Sequence, residues 1–369
     1  MKVLLVGIST RALAQSAVRA GAEVISLDFF GDQDQPPGAQ VLALGRDLQR
    51  PLTLAALAAE AAQRAGDCEA ILVESGLENE PALLELGRPH QRMFNPARAV
   101  QWVRDLRRLG PVLAGSGLLL PEIVTPGEAL PRSGEWLVKD GRHSGGQGVR
   151  RWNGTDAPGE AQLLERFVPG ELYSACFLAN GERARLLGMT RQYAGVEALA
   201  APAFAWCGNV APLIDADLER LLGGALEQVV RSSGLVGLNG LDFILGPGGP
   251  VLLEINPRPP ASFELFERLL GINAFQLHLD GCRGRLPSHL PRPFQGRVWA
   301  RGILYAREDW QAGDTSLWAA QGLADIPHPG ERIPAGAPVC SILSRAGDLA
   351  SGWQAVLERA RSLEQGQAG

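Results

Sequence analysis

Lysine is almost missing from this chain. Of its 35 basic residues only Lys2 and Lys139 are lysine and the other 33 are arginine, so the internal lysine is not a default cation. Cysteine is scarce too. Cys68, Cys176, Cys207, Cys282 and Cys340 are scattered, odd in number and never spaced as CxxC. That argues against a disulfide framework and a thiolate zinc site and suits a reducing, cytoplasmic setting. Five histidines, without a close pair or an HExxH, add nothing to a metal case. No apolar run is long enough to span a membrane. The opening MKVLLVGIST runs straight into a strand pattern, without the apolar region and cleavage site of a signal peptide. A net charge of −5 and the lack of a basic tract argue against nucleic acid as a partner. What remains is an ordinary globular composition, 46% hydrophobic and 20% charged, over 369 residues. That length suits two or three domains.

The stretch VLLEINPRPPASFE, residues 251–264, starts as a buried strand and then departs from one. With a period of two, Leu252, Glu254 and Asn256 share a face. Just upstream, GLNGLDFILGPGGP gives a second apolar run and a turn rich in Gly and Pro, the pattern of a β-hairpin. If Leu245 pairs with Val251, Ile244 meets Leu252, Phe243 meets Leu253 and Asp242 meets Glu254. Directly opposed side chains lie about 4.5–5.5 Å apart at Cβ, and like charges there are unfavourable. A hard divalent cation resolves the conflict, because Mg²⁺ takes one or two carboxylates along with substrate phosphates. Asn256 supplies a neutral oxygen on the same face. The bland alternative is a solvated strand face, and a four-residue loop would set Asp242 against Ile255 instead.

The internal lysine ends an apolar strand and opens a glycine loop, EWLVKDGRHSGGQGVR, residues 135–150. Lysine is a compact point charge suited to a phosphate, a role the planar arginine fork does not duplicate. Gly145, Gly146 and Gly148 let backbone N–H groups approach an anion. The lysine precedes the glycines and no GK[ST] follows, so this is not a Walker A loop. The alternative is a plain Gly-rich hairpin. Further on, ERFVPGE, residues 165–171, joins two apolar strands through a Pro-Gly turn, and Asn180-Gly181 signals another hairpin.

Taken in order, the lysine and glycine loop, ERFVPGE, LDF and LEINPRP resemble the ATP-grasp superfamily of ATP-dependent carboxylate–amine ligases. The resemblance covers about residues 95–290. It implies that Lys139 holds nucleotide phosphates beneath a closing loop, Ser144, Gly145, Gly146 and Gly148. It makes Glu165, Arg166, Phe167 and Val168 the hinge whose backbone meets adenine, with Glu171 on the ribose. Asp242, Glu254 and Asn256 are similar to the family's ligands for Mg²⁺ or Mn²⁺, two ions in all, and Arg258 would lie near the transferred phosphoryl group. Two departures stand out. Many members carry a second phosphate-directed lysine, which FNPARAVQWVRDLRRLGPVL lacks; Arg98 is a candidate replacement. Some carry an arginine where this chain has Gly240, and its part in steadying an acyl intermediate would pass to Arg191 or Asn209.

The N-terminal KVLLVGISTRALAQSAVRAGAEVISLD reads as strand, turn, amphipathic helix and strand, the opening of a doubly wound domain. Asp28 lies at the spacing of a dinucleotide fold, but GISTRA lacks the second and third glycines of that fingerprint. The resemblance makes this the domain that precedes an ATP-grasp core. Ser9, Thr10, Arg11 and the loop at 74–81 are then candidates to line the acceptor side; for Ser9 and Thr10 a helix cap is an equal reading. The expected fold is α/β and α+β, multidomain. It comprises a doubly wound domain over 1–94, a two-lobed core over 95–160 and 161–290, and a small β-rich unit ending in a helix over 291–369, past the Pro-rich junction LPSHLPRPFQGR. The expected activity is acyl phosphate formation from ATP and a small-molecule carboxylate, then capture by an amine. A homodimer is left open. The whole-chain pattern resembles a group associated with pterin- or furan-type one-carbon coenzyme synthesis, which implies glutamyl or similar ligation. A nucleotide-binding protein without ligase activity and a dinucleotide-dependent oxidoreductase are the alternatives.

Overall fold

The computed structural model describes residues 1–76, 78–293 and 296–367; Leu77 of the 74–81 loop and Phe294 and Gln295 of the Pro-rich junction lie outside the described residues. The chain opens with β1 (Lys2–Val6), α1 (Arg11–Arg19), β2 (Glu23–Asp28), β3 (Ala39–Ala43), α2 (Leu54–Arg64) and β4 (Ala70–Val73). The strands are parallel in the order β3-β2-β1-β4. A parallel sheet is covered on both faces, which is why KVLLV is a nearly continuous apolar run. Val3 and Leu5 pack on one side with Leu13 of α1, and Leu4 and Val6 on the other with Leu57 and Ala61 of α2. The doubly wound arrangement follows from that alternation.

Two helices, α3 (Ala97–Arg104) and α4 (Leu106–Leu113), lead to a small antiparallel sheet of β5 (Ile123–Val124), β6 (Trp136–Asp140), β7 (Val149–Arg151) and β8 (Gln162–Arg166). The glycine loop joins β6 to β7. The larger sheet begins with β9 (Glu171–Asn180), β10 (Ala184–Ala194) and β11 (Trp206–Leu213). Then come α5 (Ala216–Ser233), β12 (Val236–Gly246), β13 (Gly249–Asn256), α6 (Phe263–Leu270) and α7 (Ala274–Cys282). The C-terminal part holds β14 (Val298–Tyr305), β15 (Trp310–Gln311), β16 (Leu323–Ala324), β17 (Arg332–Ile333), β18 (Pro338–Ala346) and α8 (Leu349–Gln367). Among the described residues the large sheet runs β13-β12-β9-β10-β11-β14-β18-β16. Residues past the Pro-rich junction therefore extend the same sheet, through β14 on β11. No helix among the described residues is long and apolar enough to cross a membrane.

The β12–β13 hairpin corrects part of the expected register. Its turn is only Pro247-Gly248, so Ile244 pairs with Val251 and Phe243 with Leu252. An irregularity at Leu253 then absorbs one residue, and Asp242 still faces Glu254. The extra residue also changes the faces, as a β-bulge does. Leu252 joins Ile255, Leu241 and Phe243 in the core, while Leu253, Glu254 and Asn256 line a cleft.

Candidate active site

Three parts of the fold enclose a cleft of about 1860 Å³: the loops after β1, β2 and β4, the small sheet, and the concave face of the large sheet. Side-chain alternation decides what each strand contributes. From β6 comes Lys139, whose Nζ lies 2.7 Å from Glu165 Oε2 on β8. Burial raises the Glu165 carboxyl above its ordinary value, Lys139 opposes the shift, and nearby Glu254 adds to it. So the lysine does not stand free. Its partner is the first residue of the expected adenine hinge, which brings a buried side chain as well as backbone. Phe167 and Val168 also line the cleft.

The glycine loop is seated rather than splayed. Trp206 N–H donates to the Gly145 carbonyl at 2.9 Å. A Cβ on Gly146, whose φ is +81°, would lie 1.9 Å from the Phe204 carbonyl oxygen. That close approach is why glycine is required there. Ser144 and Gly148 line the same space.

On the large sheet, Asp242 sits opposite Glu254. Burial drives the Asp242 carboxyl well above its usual range, and the Glu254 charge pushes further in the same direction. Asn256 Nδ2 donates to Asp242 Oδ2 at 2.9 Å, and Asn256 Oδ1 accepts from Arg258 Nη2 at 3.1 Å. Arg258 Nε in turn donates to Glu78 Oε1 at 2.8 Å. Burial alone would raise Glu78, but Arg258 outweighs it and holds the carboxyl below its ordinary value. A chain of polar contacts therefore runs from the strand pair to the loop after β4.

Several expected residues lie elsewhere. Arg166, expected to act through its backbone, turns its side chain away from the cleft and pairs with Glu122 at 2.6 Å. Glu171 and Arg191 pair with each other at 2.6 Å. They occupy the β9 and β10 positions that alternate with the cleft-lining Leu172, Ser174 and Gln192, and neither is among the lining residues. Gln192 is the residue the sequence reading missed: with its amide nitrogen facing them, it donates to the Tyr173 carbonyl at 3.2 Å and Asp242 Oδ1 at 3.3 Å. The alternation of MTRQY was the available signal. Asn209 does line the cleft, but its side chain is already engaged by Thr190, Ser174 and Trp206. Arg98 lies beside Gly234, at the end of α5. From the same helix Arg104 reaches the cleft instead, donating to the Glu78 carbonyl at 2.7 Å and to the Gly141 carbonyl at 2.6 Å.

Asp28 is fully buried and bonded to Thr10 N and Oγ1, Phe30 N and Gly31 N. It is consumed by its own fold and leaves no acceptor for a ribose. Thr10 serves the same network. Arg11 is buried in an ion cluster described below.

Residues 105–262 match the family model described as an ATP-grasp domain. Over that segment the chain is similar to an ATP-grasp domain. A curated relative it matches is an uncharacterized protein of Methanocaldococcus jannaschii, 24% identical over 188 residues. The alignment takes in 50% of this chain and 42% of that protein, so the match spans less than half of the relative's length. Among solved structures, L-amino acid ligase from Bacillus licheniformis superposes with a TM-score of 0.69 at 15% identity, over 98% of this chain and 97% of that one. Biotin carboxylase from Campylobacter jejuni gives 0.70 at 13%, over 96% and 89%. N5-carboxyaminoimidazole synthetase from Staphylococcus aureus, complexed with ADP, gives 0.68 at 15%, over 97% and 96%. At these identities the likeness establishes the fold. The matched segment holds Lys139, the glycine loop, Asp242, Glu254 and Arg258, all of which line the same cleft.

Proposed function

We propose that the protein is an ATP- and Mg²⁺-dependent ligase that activates a carboxylate as an acyl phosphate and joins it to an amine. The observation that carries this reading is the strand pair Asp242–Glu254 facing the same cleft as Lys139 and its glycine loop. The donor set fits the ion. Among the described residues no three His, Cys, Asp or Glu side chains gather as ligands. Two carboxylates and the Asn256 amide suit Mg²⁺, which keeps several waters and takes further oxygens from substrate phosphates. Asp242, Glu254 and Asn256 would hold it, and when bound it supplies neutralisation of phosphate charge.

In this reading the chain's own groups position and shield. Lys139 shifts from Glu165 toward the phosphates, while the backbone of Ser144 to Gly148 covers them and excludes water. Arg258, held by Glu78 and Asn256, presents fixed positive charge to the phosphoryl group in transit. The carboxylate attacks the γ-phosphate with loss of ADP, and the amine then displaces phosphate from the acyl carbon. Phosphoryl transfer asks mainly for such positioning and charge stabilisation. The whole-chain resemblance to a group tied to pterin- or furan-type one-carbon coenzymes supports glutamyl or similar amide ligation as the finer assignment.

The deciding experiment follows ADP and phosphate release with amino acids and amines offered in pairs with carboxylic acids. Release that requires both members of a pair is the expected result. Nucleotide binding without pair-dependent release would replace the ligase with a nucleotide-binding protein of another kind.

A further inference from the structure

Beyond the phosphate end, the cleft reaches a corner where charges do not balance. Six carboxylates, Asp28, Asp32, Asp34, Glu74, Glu264 and Asp325, gather around two buried guanidinium groups, Arg11 and Arg301, with the half-buried Arg268 reaching Glu264 at 2.9 Å. Arg11 is spent on Glu264, at 2.7 and 3.0 Å, and on Asp325 at 3.1 Å. Arg301 is spent on Asp325 at 2.7 Å and Ser341 at 3.1 Å. Asp34 accepts the backbone N–H groups of Asp325 and Ile326, and Asp28 is satisfied by its own loop.

Two carboxylates are left over. Asp32, 6% exposed, has among the described residues a single long side-chain contact, with Ser9 Oγ at 3.4 Å. Glu74 is 9% exposed, and its Oε2 is buried without a hydrogen-bond partner among the described residues. Both line the cleft, as does Ser9. A buried carboxylate without a partner is costly to keep. The loops are closely packed here: a Cβ on Gly7 would stand 3.0 Å from Ser75 Oγ and 3.3 Å from Glu74 Cβ. Its position in the fold is a second argument. Glu74 follows β4 and Ser9 follows β1, the two neighbouring parallel strands between which the sheet order reverses. Ligands of open parallel sheets bind outside the carboxyl ends of the strands at that point.

We propose that Ser9, Asp32 and Glu74 form a subsite for the ammonium group of a cationic amine. An ammonium has three donors and no acceptor. Acceptors on three separate loops, after β1, β2 and β4, line this part of the cleft, an arrangement that suits a compact three-donor cation better than a planar guanidinium. Asp325 and Asp28 add negative potential at Glu74, which Arg11 and Arg301, hydrogen-bonded to Glu264 and Asp325, partly offset. The subsite deepens the ligase reading and rests on it for making this amine, or one that carries a second cationic nitrogen, a substrate. Binding itself requires no turnover.

Calorimetry on the full chain tests it with n-butylammonium and n-octylammonium against the alcohols of equal length, guanidinium and Ca²⁺. The ammonium ions should bind saturably and at least tenfold more tightly than the alcohols. Glu74→Gln and Asp32→Asn should erase that preference, and Glu74→Gln should melt no lower than wild type. Equal binding of alcohol and ammonium, an unchanged preference in Glu74→Gln, or tighter binding of guanidinium or Ca²⁺ would each overturn the subsite. The two readings fail separately. Glu74-dependent ammonium binding with no acid–amine pair driving ADP release removes the ligase alone. Pair-dependent release with an unaltered amine KM in Glu74→Gln removes the subsite alone.

Discussion

Lys139 keeps its meaning in three dimensions because its ammonium rests on a carboxylate that is only 2% exposed. The compact head of lysine can leave Glu165 for a phosphate, whereas a guanidinium prefers to stay paired in a planar fork. Lys139→Arg is therefore expected to fold normally and to lose at least tenfold in ATP affinity by calorimetry, about 1.4 kcal/mol or more. Unchanged binding would remove the lysine from the phosphate site. Glu74 makes a different demand on stability. Burial raises its carboxyl from 4.5 to about 8 although Arg11 and Arg301 oppose the shift. The unfolded chain ionises first, so the folded state holds the proton longer. Stability is full below pH 4.5 and falls as pH rises toward 8, by up to ~1.4 kcal/mol per unit for this one group. In urea denaturation at pH 5, 7 and 8.5, Glu74→Gln should flatten that decline; parallel profiles for the two proteins would count against a carboxyl so raised.

The hairpin of β12 and β13 shows what an element adds to its residues. Opposed carboxylates were legible from period-two counting, but the turn was not, because five consecutive Gly and Pro residues hide which two of them turn. The bulge at Leu253 restores the Asp242–Glu254 pairing and sends Leu252 into the core. Without a metal, the two carboxyls face each other across the strands, and burial together with the Glu254 charge holds Asp242 well above its usual range. Asp242→Asn should leave the metal-free protein as stable as wild type or up to about 1 kcal/mol more stable, the size of a cross-strand pair. Metal-dependent ATP turnover should fall steeply in the same variant. Chemical denaturation in EDTA and ADP release in Mg²⁺ measure the two effects, and a variant that loses stability while keeping turnover would dissolve the pair as a metal site.

Across the whole molecule, Arg11 ties the first unit to the rest. From α1 it reaches Glu264 on α6 and Asp325 beyond β16, and Arg301 on β14 meets the same two carboxylates. Burial would raise Glu264, yet the guanidinium of Arg11 brings it down to about 2. A depressed carboxyl stabilises the fold above its unfolded value of 4.5, and that contribution is lost as pH falls toward 2. Arg11→Met takes the central cation from Glu264, Asp325 and Asp34, leaving Arg301 and the half-buried Arg268, and a loss of about 3–5 kcal/mol is expected in urea unfolding near pH 7. The deficit should shrink below pH 4, where Glu264 can take up a proton once its partner is gone. A deficit that is small at pH 7, or independent of pH, would mean that the cluster does not hold the units together.

By itself the sequence determined the local devices: the buried parallel strands in KVLLV, the lone lysine before three glycines, and the carboxylates of LDF and LEIN on facing strands. Each depends on neighbours a few residues away, through alternation and turn chemistry. Only the tertiary structure decided which charges find partners. Arg11 and Glu264 are 253 residues apart, Arg258 and Glu78 are 180 apart, and no period links them. It also decided that Arg104 rather than Arg98, and Gln192 rather than Arg191, enters the cleft, because one step along a helix or strand turns a side chain to another face. The unpartnered Oε2 of Glu74 is of the same kind. A missing partner is a property of everything packed around a group, and no stretch of sequence contains it.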